Sequence, residues 1–139
     1  MKILEVVNAV LAIDELKNVE LDTATAYALC VTKTAIMPQY NFFHDEEMKL
    51  IKRYAKRDKD GNIVFTDRRF EFASLEASAE YTKKMSEIYD MDVEVNVKRY
   101  KIKLPDKIKP VFLEALSSFF DFDIPEIEAE NDNSRTESQ

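Results

Sequence analysis

His44 is the chain's lone histidine and Cys30 its lone cysteine. His44-x-x-Glu47 is a spacing that could place two metal ligands on one face of a helix. No second histidine exists and Cys30 lies far along the chain, so the pair reads as the polar start of a helix. Nucleophilic chemistry by Cys30 or a serine would need His44 as its base, in a triad with no local signature. Asp58, Asp60 and Asn62 match the first, third and fifth positions of a calcium loop. That loop also needs glycine at its sixth position and a carboxylate at its twelfth, where this chain has Ile63 and Arg69. The stretch reads instead as a turn entering a hairpin. The sequence therefore predicts a protein that is not an enzyme and uses no metal or cofactor.

Two basic groups are more informative. Lys49, Lys52, Arg53, Lys56 and Arg57 follow helical spacing, with Met48, Leu50, Ile51, Tyr54 and Ala55 opposite them. Lys98, Arg99, Lys101 and Lys103, followed by Lys107 and Lys109, cover a late strand. Together, and with Arg68-Arg69, they could track phosphates. Cations also complement a helix C-terminus, and lysines on exposed strands resist edge pairing. These local roles are the preferred reading; for any binding role a protein partner is favoured over nucleic acid, which the formal charge of −7 opposes. Thr23 to Phe43 holds a single charged side chain, Lys33. If other elements leave its face uncovered, Tyr27, Val31, Tyr40, Phe42 and Phe43 form a homo-oligomer or partner seam.

The elements that must carry these residues are mostly helical. Content of 45% apolar and 34% charged residues suits a soluble globular chain, and one glycine with four prolines argues against a many-stranded sandwich or barrel. The expected organisation is one α+β domain over 1–123, with an acidic tail over 124–139 whose composition predicts disorder and which accounts for most of the negative charge. Ile3–Leu16 reads as a helix with Ile3, Val6, Val7, Val10, Leu11 and Asp14 on one face, ended by Asn18 in the left-handed conformation. Asp22 caps a long central helix to about Arg57, with Ala24, Tyr27, Ala28, Val31 and Ala35 inward. Pro38 predicts a kink or break there, with a restart at His44–Glu47.

Residues 63–65 and 70–72 read as a small hairpin, and Ser74 as the cap of a helix to Tyr89 carrying a Glu80–Lys84 pair. Leu75, Ala79, Met85, Ile88 and Tyr89 form its expected inner face. Residues 92–104 alternate in two phases, predicting either a strand with a bulge at Lys98-Arg99 or a turn there between two short strands, as part of a small antiparallel sheet with 62–72. Pro110 opens a last helix, Val111–Phe120, after which periodicity is lost.

One cysteine allows no internal disulfide and fits a reducing compartment. Glu5 and Asn8 argue against reading the N-terminus as a signal peptide, and Lys33, Pro38, Gln39 and Asn41 make membrane insertion of 23–43 costly.

The order of signals resembles that of small uncharacterised tailed-phage and prophage proteins. The residues that carry it are the "VVNAVLAIDEL" helix, the "EEMKLIKRYAKRDKDGNIVF" helix and turn, the "DVEVNV" strand and "PVFLEALSSFFDF". The resemblance implies a host-cytoplasmic or virion-associated protein active in particle assembly or host takeover, and it carries no catalytic residue over. The expected function is non-catalytic, through contacts with itself, a phage protein or a host protein. Two alternatives stand beside it: an acidic inhibitor of a host enzyme that handles nucleic acid, and a weak nucleic-acid binder using 49–57 and 98–109.

Overall fold

Helical periodicity places the first two elements, α1 (Ile3–Leu16) and α2 (Thr23–Tyr54), in this computed structural model, which describes residues 1–123. The expected acidic tail, 124–139, lies outside the described residues. The whole is α+β: four helices, a two-stranded antiparallel sheet and a two-stranded parallel pair.

On α1 the buried side chains are Ile3, Val6, Val7, Ala9, Val10, Ala12, Ile13 and Leu16. The arc is wider than the expected face, and Leu11 falls outside it. The helix ends without a left-handed residue at Asn18. Three-residue turns close it instead, from the Lys17 N–H to Asp14 O and from Val19 N–H to Leu16 O.

Asp22 caps α2 as its type predicts, its carboxylate accepting the Thr25 N–H at 2.8 Å. The buried stripe of α2 is Thr25, Ala28, Leu29, Thr32, Ile36 and Phe43. It lies one residue away from the expected series, so Ala24, Tyr27 and Ala35 are exposed. Pro38 does not break the helix, and no restart occurs at His44. Pro38 has no N–H to offer the Thr34 carbonyl, a loss typically worth about 3 kcal/mol or more inside a helix. The packed stripe on either side of it outweighs that loss, since helix stability in proteins comes mostly from burial of one face.

The described chain forms two compact units. The first comprises Met1–Val7 and Met37–Val95; the second comprises Asn8–Ile36 and the chain from Asn96 onward. In the first, Ile3, Val7, Phe43 and Met85 form a core against which Tyr40, Leu50, Tyr81, Ile88, Tyr89 and Val93 pack. Helix α2 ends at Tyr54, before Lys56 and Arg57, and the chain turns into a ribbon.

Strands β1 (Phe65–Thr66) and β2 (Arg69–Phe70) pair antiparallel, Phe65 opposite Phe70 and Thr66 opposite Arg69. The turn between them, Asp67-Arg68, has both φ values positive, at 52° and 67°. This matches a type I′ hairpin turn, which favours Asn-Gly. Helix α3 (Leu75–Tyr89) follows, with Ser74 Oγ accepting the Ala77 N–H at 3.0 Å. Its inner face is Met85, Tyr81, Ile88 and Tyr89; Leu75 and Ala79 are exposed, and the Glu80–Lys84 pair is not formed among the described residues.

In the second unit, β3 (Tyr100–Lys103), α4 (Pro110–Ser117) and β4 (Phe120–Asp123) form a strand–helix–strand unit. Tyr100 pairs with Phe120 and Lys103 with Asp123, in parallel. The expected long strand from Asp92 is thus only its last part. Val93, Val95 and Val97 are half-buried and their neighbours exposed, so the alternation is real, but no ladder extends over them. The last helix ends three residues earlier than expected, and Phe120 opens a strand.

The strained turn yields a stability prediction. Replacing Asp67-Arg68 by Asn-Gly keeps at 67 a side chain that tolerates positive φ, removes at 68 one that does not, and should stabilise the fold by about 1 kcal/mol. Chemical denaturation of the double variant against the parent measures it.

Candidate interaction surface

Five of the nine cations within 49–57 and 98–103 are engaged by their own surroundings. Lys49 Nζ lies 3.0 Å from Glu46 Oε1. The Arg53 guanidinium sits 5.3 Å from the Tyr54 ring centre. Arg57 lies past the helix end and donates to the carbonyls of Gly61 and Lys52, each at 2.9 Å. It thereby braces the 58–62 turn, where Asp58 Oδ1 accepts the N–H groups of Asp60 and Asn62 and Gly61 has φ +83°. Lys98 Nζ is 4.9 Å from the Tyr100 ring centre.

Arg99 is the most committed of all. Its guanidinium donates to the carbonyls of Ser117 at 2.6 Å, Ser118 at 3.1 Å and Phe120 at 3.0 Å, and to Asp121 Oδ1 at 2.8 Å. The last carbonyls of a helix have no partner within it, and a cation there also meets the negative end of the helix dipole. Arg99 therefore closes the end of α4 and ties it to β4. Lys52, Lys56, Lys101 and Lys103 are exposed. The two basic groups belong to different compact units.

The backbone of the first group is locked by a ring of hydrogen bonds. The Lys56 N–H donates to Glu71 O, Glu71 N–H to Val64 O, and Val64 N–H to Lys56 O, at 2.7, 3.0 and 3.0 Å. Bridges from Ala55 to Phe72 and from Arg57 to Ile63 extend it. Residues 55–57 thus join the hairpin as a third segment. One face of the ribbon carries Phe70 and Phe72, whose rings lie 5.5 and 5.2 Å from that of Tyr81 on α3. Phe65, opposite Phe70, is on the same face but 64% exposed. Arg68 sits in the turn, and Arg69 leaves the other face; both are exposed. Leu75, at the start of α3, is 91% exposed. The sequence places Leu75 on the inner face of α3 and passes over Phe65, because an apolar residue in an alternating strand reads as an inward one.

The expected seam is divided by the structure. Phe43 is 4% exposed and belongs to the core, with its ring 5.4 Å from that of Tyr89. Val31 and Tyr40 are half-buried, and Tyr40 stacks on His44. Tyr27 is 61% exposed, edge-on to Tyr100, and Phe42 is exposed as well.

A cleft of about 380 Å³ in the second unit is lined by Ile13, Leu16, Val19, Leu29 and Cys30, and by Lys33 paired with Asp14. Among the described residues no cluster of three or more His, Cys, Asp or Glu side chains could hold a metal ion. No described helix is long and apolar enough to cross a membrane. The chain matches no protein-family model, no curated protein and no solved structure.

The tyrosines under the ribbon titrate high. Burial raises the Tyr54 pKa above its ordinary value; no group meets hydrogen-bond geometry with its hydroxyl, and the nearby Glu80 carboxylate pushes the same way. Burial also raises Tyr81 and Tyr89, with the Glu47 carboxylate adding to both. Raised folded pKa values mean that this stability is fully present below pH 10, the ordinary tyrosine value, and is lost as pH rises through the folded values. Thermal melts should be flat approaching pH 10 and fall above it, and Tyr54→Phe should weaken that fall. Arg99→Lys keeps the charge but loses the fork, and should destabilise the fold by about 1–3 kcal/mol in denaturant melts.

Proposed function

We propose that this chain is a non-catalytic protein that works by binding another protein, in a phage or prophage setting, during particle assembly or on a host protein. The observation that carries the reading is the outer edge of the first unit: Phe65 stands in solvent at 64% exposure with Arg68 and Arg69 beside it in sequence and at the same ribbon end. Aromatic and arginine side chains dominate the energetics of protein interfaces, because each offers a large rigid surface together with directional polar groups. Placing such an aromatic in water gains nothing for folding. Its exposure is accounted for if a partner covers it.

The test replaces Phe65 with a photo-reactive phenylalanine analogue in the full chain and irradiates it in lysate of the producing cell. A discrete protein adduct is expected, and Phe65→Ser should lower the affinity for that protein about tenfold or more, the scale of an interface anchor. A chain that forms no adduct there or at other exposed positions, such as Tyr27, would refute the reading.

A further inference from the structure

We infer that the β1–β2 hairpin is a docking finger whose partner is an acidic protein segment bearing an apolar side chain. The inference rests on the contact-making reading above and adds the chemistry of the partner. Three observations converge on the same few residues.

The first is charge. Between Lys52 and Phe70 the sequence holds seven cations and three carboxylates, in a chain whose formal charge is −7. Of the three carboxylates, Asp58 is consumed by turn hydrogen bonds. The exposed cations nearest the finger's end, Arg68 and Arg69, have no ion-pair partner among the described residues. They are open to carboxylates, which a guanidinium grips with two parallel hydrogen bonds.

The second is the aromatic edge. Phe70 and Phe72 face Tyr81 and are half-buried, whereas Phe65 on the same face projects beyond them into water. An apolar side chain laid on Phe65 extends an aromatic surface that the fold has already built.

The third is the turn itself. Asp67 and Arg68 both hold positive φ, which Asn-Gly would adopt at lower cost. Arg68 thus keeps a long charged side chain at the very tip, where a glycine would serve folding better.

A nucleic acid fits these observations less well. Arg53 and Arg57 are taken up by Tyr54 and by backbone carbonyls, and Asp58 and Asp60 fall among the remaining exposed cations Lys52, Lys56, Lys59, Arg68 and Arg69, which interrupts the positive track that a phosphate backbone needs.

Fluorescence polarisation on the full chain tests the inference. The probes are a short labelled peptide of Asp, Glu and Ser containing leucine, the same peptide with serine in place of leucine, and labelled DNA in single- and double-stranded form. At ~0.15 M salt, where surface attraction is largely screened beyond about 8 Å, the leucine peptide should bind about tenfold or more tighter than its serine counterpart and than either DNA. Phe65→Ser should erase the leucine preference. Arg68→Gly with Arg69→Glu should abolish peptide binding, while melts show the variant still folded. Equal binding of both peptides, or tighter binding of DNA, would overturn the inference. Cross-linking from position 65 and, separately, from Tyr27 separates the two claims: adducts only from position 27 keep the contact-making reading and remove the finger. An adduct from 65 to a segment lacking acidic residues also removes it.

Discussion

Eight of the fourteen side chains of α1 are withdrawn from water, and among the described residues no other helix is buried so completely along its length. Six of the eight are Ile, Val or Leu, each contributing about 1.5–3 kcal/mol when fully buried. Ile3 and Val7 anchor the core of the first unit with Phe43 and Met85, and the remainder of the helix, from Asn8, belongs to the second. The entry to α1 is held by backbone bonds as well: Ile3 N–H donates to Met91 O, and Val93 N–H to Met1 O, at 2.9 and 2.8 Å. Lys2, poised between Asp90 and Asp92, has its pKa raised by those carboxylates, Asp92 foremost. Within the first unit the chain's start is thus held against the residues that follow α3.

The second recurring device is the use of cationic side chains and short ribbons to finish backbone hydrogen bonding where helices stop. Arg99 serves the end of α4, Arg57 the turn beyond α2, and the ring of Lys56, Val64 and Glu71 main-chain bonds closes the ribbon. A helix end must give its last carbonyls to something, and a guanidinium satisfies several at once in a fixed plane. This is why a count of lysines and arginines overstates the charge available to a ligand. Of the cations that remain free on the first unit, Arg68 and Arg69 stand at the hairpin end, beside an aromatic ring that the interior does not use. The proposed finger follows from that subtraction.

Buried hydroxyls show the same economy on α2. Thr25 and Thr32 occupy the stripe that faces inward, where a longer apolar residue would be expected. Thr25 justifies its place by accepting the Lys103 N–H at 3.0 Å, which ties β3 to the first turn of α2 within the second unit. Thr32 Oγ1 has no partner in the described structure, and we have no physical account of it. A β-branched residue of threonine's size fits a close approach as valine would, so the periodicity of α2 is carried by shape as much as by polarity.

Local chemistry alone determined much of this protein. The span of α1, the Asp22 and Ser74 caps, the 58–62 turn, the hairpin and the helical and mixed class all follow from periodicity, capping residues and turn residues, because each depends on neighbours within a few positions. Tertiary structure decided the rest. It carried α2 through Pro38, since packing on either side outweighed one lost bond. It paired Tyr100–Lys103 in parallel with Phe120–Asp123, where the sequence places Phe120 in the last helix and shows no periodicity beyond it. It also assigned Arg99 and Arg57 to carbonyls, buried Phe43 and left Phe65 in water. Arg57 finds its carbonyls four and five residues away, but for the others the deciding surroundings lie far off in sequence, and a side chain's type states what it can do without stating what will stand beside it.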